Sequence, residues 1–239
     1  MPASVEFRSV SVEPILHDIN LRITAGEAVA FVGRSGAGKT TTLRLVNGLA
    51  RPTAGEVLID NVSLANADLI ALRRRTGYII QGSGLFPHRT VYENVSTIPR
   101  LLEWDEQKIR AAAEEMMAKL DLPIERFGDR YPRSLSGGEQ QRVGIARAMI
   151  AKPSILLCDE PFGALDPIVR RDLQDTFRAL RSGVTILFVT HDLPEALRVA
   201  ERIVLFDGGR IVADSPSAKF TAQPLPLVQR FVAAASLPV

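Results

Sequence analysis

The stretch Gly33-Arg34-Ser35-Gly36-Ala37-Gly38-Lys39-Thr40-Thr41 carries the plainest chemical signal in the chain. Its glycines let a backbone curl around an anion, while amide N–H groups and a following helix N-terminus supply positive potential. Lys39 is spaced to reach the β and γ phosphates of a nucleotide, and Thr40 to offer a hydroxyl to Mg2+. Only five residues are lysine, at 39, 108, 119, 152 and 219, against 24 arginines. At this composition such a pattern arises by chance about 0.003 times in a chain of this length.

A second signal is the apolar run Ile155 to Cys158 ending in Asp159 and Glu160. Alone it reads equally as a strand followed by an acidic turn. Beside a phosphate loop it reads as a strand that presents Asp159 to Mg2+ and Glu160 to an attacking water. Cys158 reads as a small apolar residue of that strand. Leu135-Ser136-Gly137-Gly138-Glu139-Gln-Gln-Arg142 is a third signal. Ser136 and Glu139 have the spacing of a helix capping box. Capping does not account for Gly137 and Gly138, poor helix formers in a first turn, so a second phosphate-accepting helix N-terminus is the functional reading.

These groups need elements to hold them. Val5 to Val12 and Ile15 to Ile23 are rich in β-branched residues and separated by Glu13-Pro14, predicting an antiparallel start. Ala28 to Val32 predicts a strand leading into the glycine-rich loop, then a helix with Leu43, Val46 and Leu49 on one side. Further strands are predicted at Val57 to Ile59, Tyr78 to Ile80, Ile155 to Cys158, Thr185 to Val189, Ile203 to Phe206 and Ile211 to Ala213. From Val91 to Leu122 the pattern is helical, with Ile109, Ala112, Met116 and Leu120 at helical spacing as ordinary core packing. Asp166-Pro167 reads as N-cap and first residue of a helix whose apolar stripe is Val169, Leu173, Phe177 and Leu180. A tail from Ser217 holds one helix after Pro226.

The chain resembles, over essentially its whole length, the ATP-binding subunits of ABC transporters. The P-loop at Gly33 to Thr40, a Q-loop glutamine at Gln81, the signature at Leu135 to Arg142, the Walker B strand to Glu160 and a switch histidine at His191 follow in that family's order. The D-loop Ala164-Leu165-Asp166 lies between the last two. Alone, Gln81 reads as a solvated loop residue and His191 as a structural one. The resemblance implies an α/β P-loop NTPase core with an N-terminal antiparallel β subdomain and an inserted helical subdomain, approximately residues 88–150. It implies one ATPase domain over 1–239, with a helical tail at 217–239. ATP and Mg2+ are the implied cofactors, bound head to tail between two subunits, copies of this chain or a similar one. Ser136, Gly137, Gly138 and Asp166 then serve the opposite subunit's nucleotide. Glu160 is the implied catalytic base, with Lys39 on the phosphates and His191 on the γ-phosphate. Thr40 and Asp159 hold Mg2+, and Gln81 senses the metal and the water while linking to a permease.

Closer likeness to importer ATPases for glycine betaine, carnitine and choline comes from Leu72 to Gln81, Gly84 to Val91, Ile98 to Trp104 and Asp159 to Ile168. It implies an integral-membrane permease, an extracytoplasmic solute-binding protein and a peripheral place on the cytoplasmic membrane face. The segment from Gln81 to Trp104 is expected to dock a permease helix. Relatives of that kind often add a C-terminal regulatory module; the chain stops at Val239, and regulation through such a module is not part of the expectation. An importer ATPase for another small polar solute, such as an amino acid, is the alternative. A soluble P-loop kinase has no use for Leu135 to Arg142. A soluble ABC protein acting on ribosomes or DNA would carry two cassettes or a long coiled coil, and neither is present.

Composition agrees with a local rather than a global mode of recognition. The 239 residues suit one large domain or a core with a subdomain. With 29 basic and 27 acidic residues, the net charge of +2 gives no reason to expect a nucleic-acid partner. One cysteine allows no internal disulfide, Glu6 and Arg8 interrupt any signal-peptide pattern, and no apolar run approaches the roughly 18 to 20 residues of a membrane span. A cytosolic chain is expected. One departure from the family stands out: it usually places an aromatic ring between the first two strands, against adenine, and this chain has none between Arg8 and Ala30. Pro14 falls in that slot. Apolar contact from Pro14 or Ile15 is expected instead, with Phe7 in the core beside Val5 and Ser9.

Overall fold

The computed structural model describes residues 1–82, 84–163 and 165–236. Ala164 of the expected D-loop and the last three residues of the expected tail lie outside the described residues.

β1 (Val5–Val12) and β2 (Leu16–Ile23) pair antiparallel, and the Ile15 N–H donates to the Val12 carbonyl across the turn at 2.6 Å. β3 (Ala28–Gly33) leads through the glycine-rich loop into α1 (Lys39–Val46). β4 (Ala54–Ile59), β5 (Val62–Ser63), α2 (Leu69–Arg74) and β6 (Thr76–Ile79) follow. Then come α3 (Val91–Val95), α4 (Thr97–Leu101), α5 (Glu106–Ala118), α6 (Ile124–Phe127) and α7 (Gly137–Met149), with no strand between them among the described residues. The chain continues with β7 (Ile155–Asp159), α8 (Pro167–Leu180), β8 (Thr185–Val189), α9 (Leu193–Val199), β9 (Arg202–Asp207) and β10 (Arg210–Pro216). α10 (Ser217–Phe220) and α11 (Pro226–Ser236) close it.

The strands form two sheets. One is antiparallel, in the order β2-β1-β4-β5; the other runs β10-β9-β3-β8-β7-β6 and is parallel except for β10. Both faces of the second sheet are covered, so its central strands are apolar throughout, as burial on two sides requires. Val29, Phe31, Leu157, Leu187 and Val204 point toward α1 and the antiparallel sheet. Ala30, Leu156, Cys158, Phe188 and Ile203 point toward the opposite core, with α7, α8 and α9. This is the α/β P-loop core with an antiparallel β subdomain and an inserted helical segment that the sequence implied.

Three local expectations are corrected. Leu49 does not continue the buried side of α1: Gly48, at φ +65°, turns the chain out of the helix, leaving Leu49 58% exposed. In α5 the fully buried line is Ile109, Ala113 and Met117, with Leu120 just past its end; Ala112 and Met116 are only partly covered. The face is rotated one residue because the segment packs on α6 and α7 together. Ser9 is exposed although Phe7 is buried, because the β1 register shifts between Phe7 and Val10. A bulge there, with Ser9 at φ +46°, breaks the alternation and returns Val10 to the core.

Candidate active site

Gly38 precedes α1 with φ +96°, a left-handed geometry that costs glycine little, and a Cβ there would run into Leu16. The next residue, Lys39, is 7% exposed, and its Nζ donates to the Gly33 and Arg34 carbonyls at 2.8 Å each. Burial pulls the Lys39 pKa down, against the raising influence of Glu160 and Asp159. The ammonium therefore rests on loop carbonyls that a phosphate could replace.

β7 ends in Asp159, whose Oδ1 accepts the Thr40 hydroxyl at 2.9 Å. Burial raises the Asp159 pKa, helped by Glu160 and opposed by the Thr40 bond, Arg44 and Lys39. Oxygens 2.9 Å apart stand at the separation of adjacent corners, about 2.9 Å, of an octahedron with bonds of 2.0–2.1 Å. Among the described residues no group of three His, Cys, Asp or Glu could hold a metal alone. One carboxylate and one hydroxyl, completed by phosphate and water, suit Mg2+ and would not form a dedicated protein cage.

Glu160 follows in a left-handed conformation at φ +48°, a strained state for a residue with a Cβ, and its N–H donates to the Val189 carbonyl at 3.0 Å. That turn aims the carboxylate between two neighbours. Gln81 Nε2 donates to Glu160 Oε2 at 3.1 Å, and His191 Nδ1 lies 3.1 Å from Oε1. Gln81, Glu160 and His191 come just after β6, β7 and β8, at the carboxyl edge of the parallel sheet, where open α/β sheets place their sites. With Lys39, Thr40, Thr41, Ser35 and Ile15 they line one cleft of about 570 Å³. Gln81 bonds Glu160 and not the Thr40–Asp159 pair, although it shares their cleft.

Other expected residues lie elsewhere. Gly33 and Arg34 contribute carbonyls to Lys39 but do not line this cleft. Ser136 caps α7, its Oγ accepting the Glu139 N–H at 3.3 Å while its own N–H reaches Glu139 Oε2 at 2.7 Å. A Cβ on Gly138 would meet Val169 at 2.9 Å, but one on Gly137 would meet nothing within 4 Å. Inside one chain, then, Gly138 has a packing reason to be glycine and Gly137 has none. Asp166 caps α8, accepting the Ile168 and Val169 N–H groups at 3.1 and 3.0 Å. Ser136, Gly137, Gly138 and Asp166 do not line the cleft of Lys39.

A layer behind His191 was not foreseen. Arg170 Nη2 donates to the Leu165 carbonyl at 3.1 Å, and its Nη1 stands 3.4 Å from Asp192 Oδ2, tying the D-loop to the residue after the histidine. Asp192 caps α9 by accepting the Glu195 N–H. Burial pushes the Glu195 carboxyl up to about 7, with Gln174 donating to it at 3.3 Å. Asp192 followed three residues on by Glu195 is a visible helix-start signal, but nothing in it tells that Glu195 is buried.

The ABC transporter family profile matches residues 16–163. The chain is 48% identical over 199 residues to the choline transport ATP-binding protein OpuBA of Bacillus subtilis, across 82% of this chain and 52% of that protein. It is 41% identical over 242 residues to the glycine betaine uptake system ATP-binding protein YehX of Escherichia coli, across 98% of this chain and 78% of YehX. It spans about half the length of OpuBA and OpuCA. Among solved structures, a dimeric ATP-binding cassette in a post-hydrolysis state bound to ADP and Pi superposes with a TM-score of 0.80 at 34% identity, over 89% of this chain and 98% of that one.

Proposed function

The chain belongs to the ABC transporter family, and we propose that it is the ATP-hydrolysing subunit of an importer, acting as a dimer bound peripherally to a membrane permease. The observation that carries this reading is the convergence of Lys39, Thr40, Gln81, Asp159, Glu160 and His191 on one cleft.

In this reading Lys39 exchanges the Gly33 and Arg34 carbonyls for phosphate oxygens, and the loop amides before α1 complete an anion cradle. Thr40 and Asp159 would hold Mg2+, which supplies charge neutralisation on the phosphates when bound. Glu160 accepts the proton of the attacking water at its carboxylate. Gln81 and His191, already bonded to that carboxylate, fix its direction and touch water and γ-phosphate. Ser136, Gly137, Gly138 and Asp166 are exposed or half-exposed and do not line their own cleft, which supports their serving a second subunit.

Docking of a permease helix finds support in a second cleft of about 400 Å³, lined by Leu49, Arg73, Phe86, Ile98, Leu101 and Arg147 among others. Leu49 and Leu101 are half-exposed or more, and the Phe86 ring lies under the Arg89 and Arg147 guanidiniums at 4.8 and 5.5 Å. Trp104 does not line it and packs under Lys108, 4.1 Å from the ring centre. No helix among the described residues is long and apolar enough to cross a membrane. The names of OpuBA, of YehX and of the glycine betaine/carnitine/choline transport ATP-binding protein OpuCA support a choline, carnitine or glycine betaine cargo, delivered through an extracytoplasmic binding protein.

The test is Mg2+-dependent phosphate release by the purified chain, then uptake of radiolabelled glycine betaine and choline by vesicles holding it with a membrane permease. No hydrolysis in either preparation defeats the ATPase reading. Hydrolysis stimulated only by another small polar solute would keep that reading and replace the cargo.

A further inference from the structure

The cleft contains much to hold a triphosphate and almost nothing to recognise a base. β3 feeds the phosphate loop; β8 and β7, which bring His191, Asp159 and Glu160, lie to one side of it, and β9 and β10 to the other. A phosphate chain with its terminal group at Glu160 and His191 must therefore run across the loop toward the β9–β10 side. The residue lining the cleft on that side is Ile15. It is 41% exposed, and the turn that carries it is pinned from both flanks. The neighbouring His17 N–H donates to the Gly209 carbonyl in the β9–β10 turn at 2.9 Å, and the Ile15 carbonyl lies against Gly38 of the loop. The position is thus fixed relative to the phosphates.

Two means of reading a base are missing from the described lining. His191 is the only ring there, and it is engaged with Glu160 at the opposite end. Phe7, the nearest ring in β1, is 2% exposed in the core. The polar side chains that line it, Ser35, Lys39, Thr40, Thr41, Gln81, Asp159, Glu160 and His191, belong to the phosphate loop or the β6–β8 edge, while Glu13 and His17 of the Ile15 turn face each other at 3.6 Å and are not part of the lining, so the lining offers no donor or acceptor beside Ile15 to sort adenine from guanine. Strong rejection of an analogue requires buried polar groups left unpaired by the wrong partner; an aliphatic surface gives only weak discrimination.

Building on the proposed nucleotide site, we propose that this chain selects its ligand by the triphosphate and not by the base, with Ile15 as an aliphatic rest for any purine. ATP and GTP then bind about equally, and a ring introduced at position 15 tightens both.

Equilibrium titration of the purified chain with MgATP, MgGTP and magnesium tripolyphosphate, by calorimetry at low temperature, tests this. The expected result is an ATP to GTP affinity ratio below about fivefold, with tripolyphosphate within roughly tenfold of either. Ile15→Tyr is expected to tighten ATP and GTP by about 5- to 150-fold, the usual worth of stacking one base on a ring, without changing tripolyphosphate. Ile15→Ala is expected to weaken both nucleotides slightly and equally, and serves if the tyrosine variant does not fold. ATP preferred over GTP by more than about twentyfold would overturn the proposal. So would a preference lost in Phe231→Ala, because that ring lines a separate cleft of about 370 Å³ beside Gly33 and Arg34. Failure of all three ligands to bind would overturn the nucleotide reading itself and this inference with it.

Discussion

The Thr40 hydroxyl donates to Asp159 Oδ1 at 2.9 Å, joining residues 119 positions apart in the chain. Thr40 is the second residue of α1, the helix after β3, while Asp159 ends β7, two strands away across β8. The bond spans the place where the sheet brings its phosphate loop and its acidic strand end together, so one contact reports the assembly of both.

Asp159 is held at a cost to the fold, because burial is the largest influence on its carboxyl and raises its pKa. A raised carboxyl pKa means that the folded state resists ionisation; the penalty grows as pH climbs through that raised value and is absent well below the unfolded one. Asp159→Asn keeps an acceptor for Thr40 while removing the charge. At pH 7 the nucleotide-free variant is expected to melt higher, by about 2 to 4 °C per ~1 kcal/mol gained, yet lose Mg2+-dependent phosphate release at least about 100-fold. Calorimetry beside a phosphate assay checks both; a variant that melts lower and still hydrolyses would contradict the assignment.

Glu160→Gln preserves shape and can still meet Gln81 and His191, but cannot take a proton from water. Binding of ATP should survive while turnover falls by a factor of about 100 or more. An ATP-bound dimer should then accumulate on size-exclusion chromatography with MgATP. Monomer alone, with hydrolysis near the wild-type rate, would refute both the base and the two-subunit site.

The site was legible where chemistry is local. Gly33 to Thr40 shows its glycines, lysine and hydroxyl in one continuous stretch, and Asp159 and Glu160 end an apolar run that can only be a buried strand. Gln81 and His191 carry no such signal; they matter because β6, β7 and β8 lie side by side, a fact of topology that their neighbours in sequence do not encode. Ile15 became distinguishable from Pro14 only when the β1–β2 turn was seen against the loop. Arg170 and Glu195 were invisible for the same reason: a half-buried arginine or a buried carboxylate looks like any surface charge until its neighbours are known. In the fold, alternation failed where a bulge at Ser9 shifted the strand, and the helical stripe of α5 slipped one residue under packing from two directions.

Leu101 and Leu49 flank the cleft offered for the permease helix, and each is half-exposed or more, so a charge there costs the isolated chain little. Leu101→Glu and Leu49→Glu are expected to melt within a few degrees of the parent and to keep basal ATPase activity. Stimulation by the reconstituted permease should drop at least about tenfold. A collapsed melting transition would show instead that the two leucines hold the helical segment together.

Glu195 offers a pH signature. Its carboxyl is raised from 4.5 to about 7 by burial, with Asp192 adding to the rise and Arg170, Thr190 and Gln174 opposing it. Folded-state stability should therefore fall as pH rises from about 4.5 to about 7 and level off above, a loss on the order of 3 kcal/mol. Glu195→Gln removes this slope. Denaturant unfolding of both proteins from pH 4.5 to 8.5 should show the variant gaining steadily on the parent up to about pH 7. A constant difference across the range would mean that Glu195 titrates like an ordinary surface carboxylate.

Gly137 separates the needs of one chain from those of two. It is the first residue of α7, and a Cβ there would meet no atom within 4 Å, whereas one on Gly138 would press on Val169 at 2.9 Å. Within a single chain, then, alanine at 137 should be neutral or stabilising, by up to about 0.5 to 1 kcal/mol, because glycine is the poorer helix former. Alanine at 138 should cost stability through that contact. If the α7 N-terminus receives another subunit's γ-phosphate, a methyl group at 137 obstructs a close backbone approach. Gly137→Ala is thus expected to melt at or above the parent temperature, to bind ATP as a monomer, and to lose both hydrolysis and the dimer trapped by Glu160→Gln. Thermal melts with chromatography of the Gly137→Ala, Glu160→Gln double variant decide it, since an ATP-bound dimer forming as readily as in Glu160→Gln alone would mean that nothing approaches Gly137.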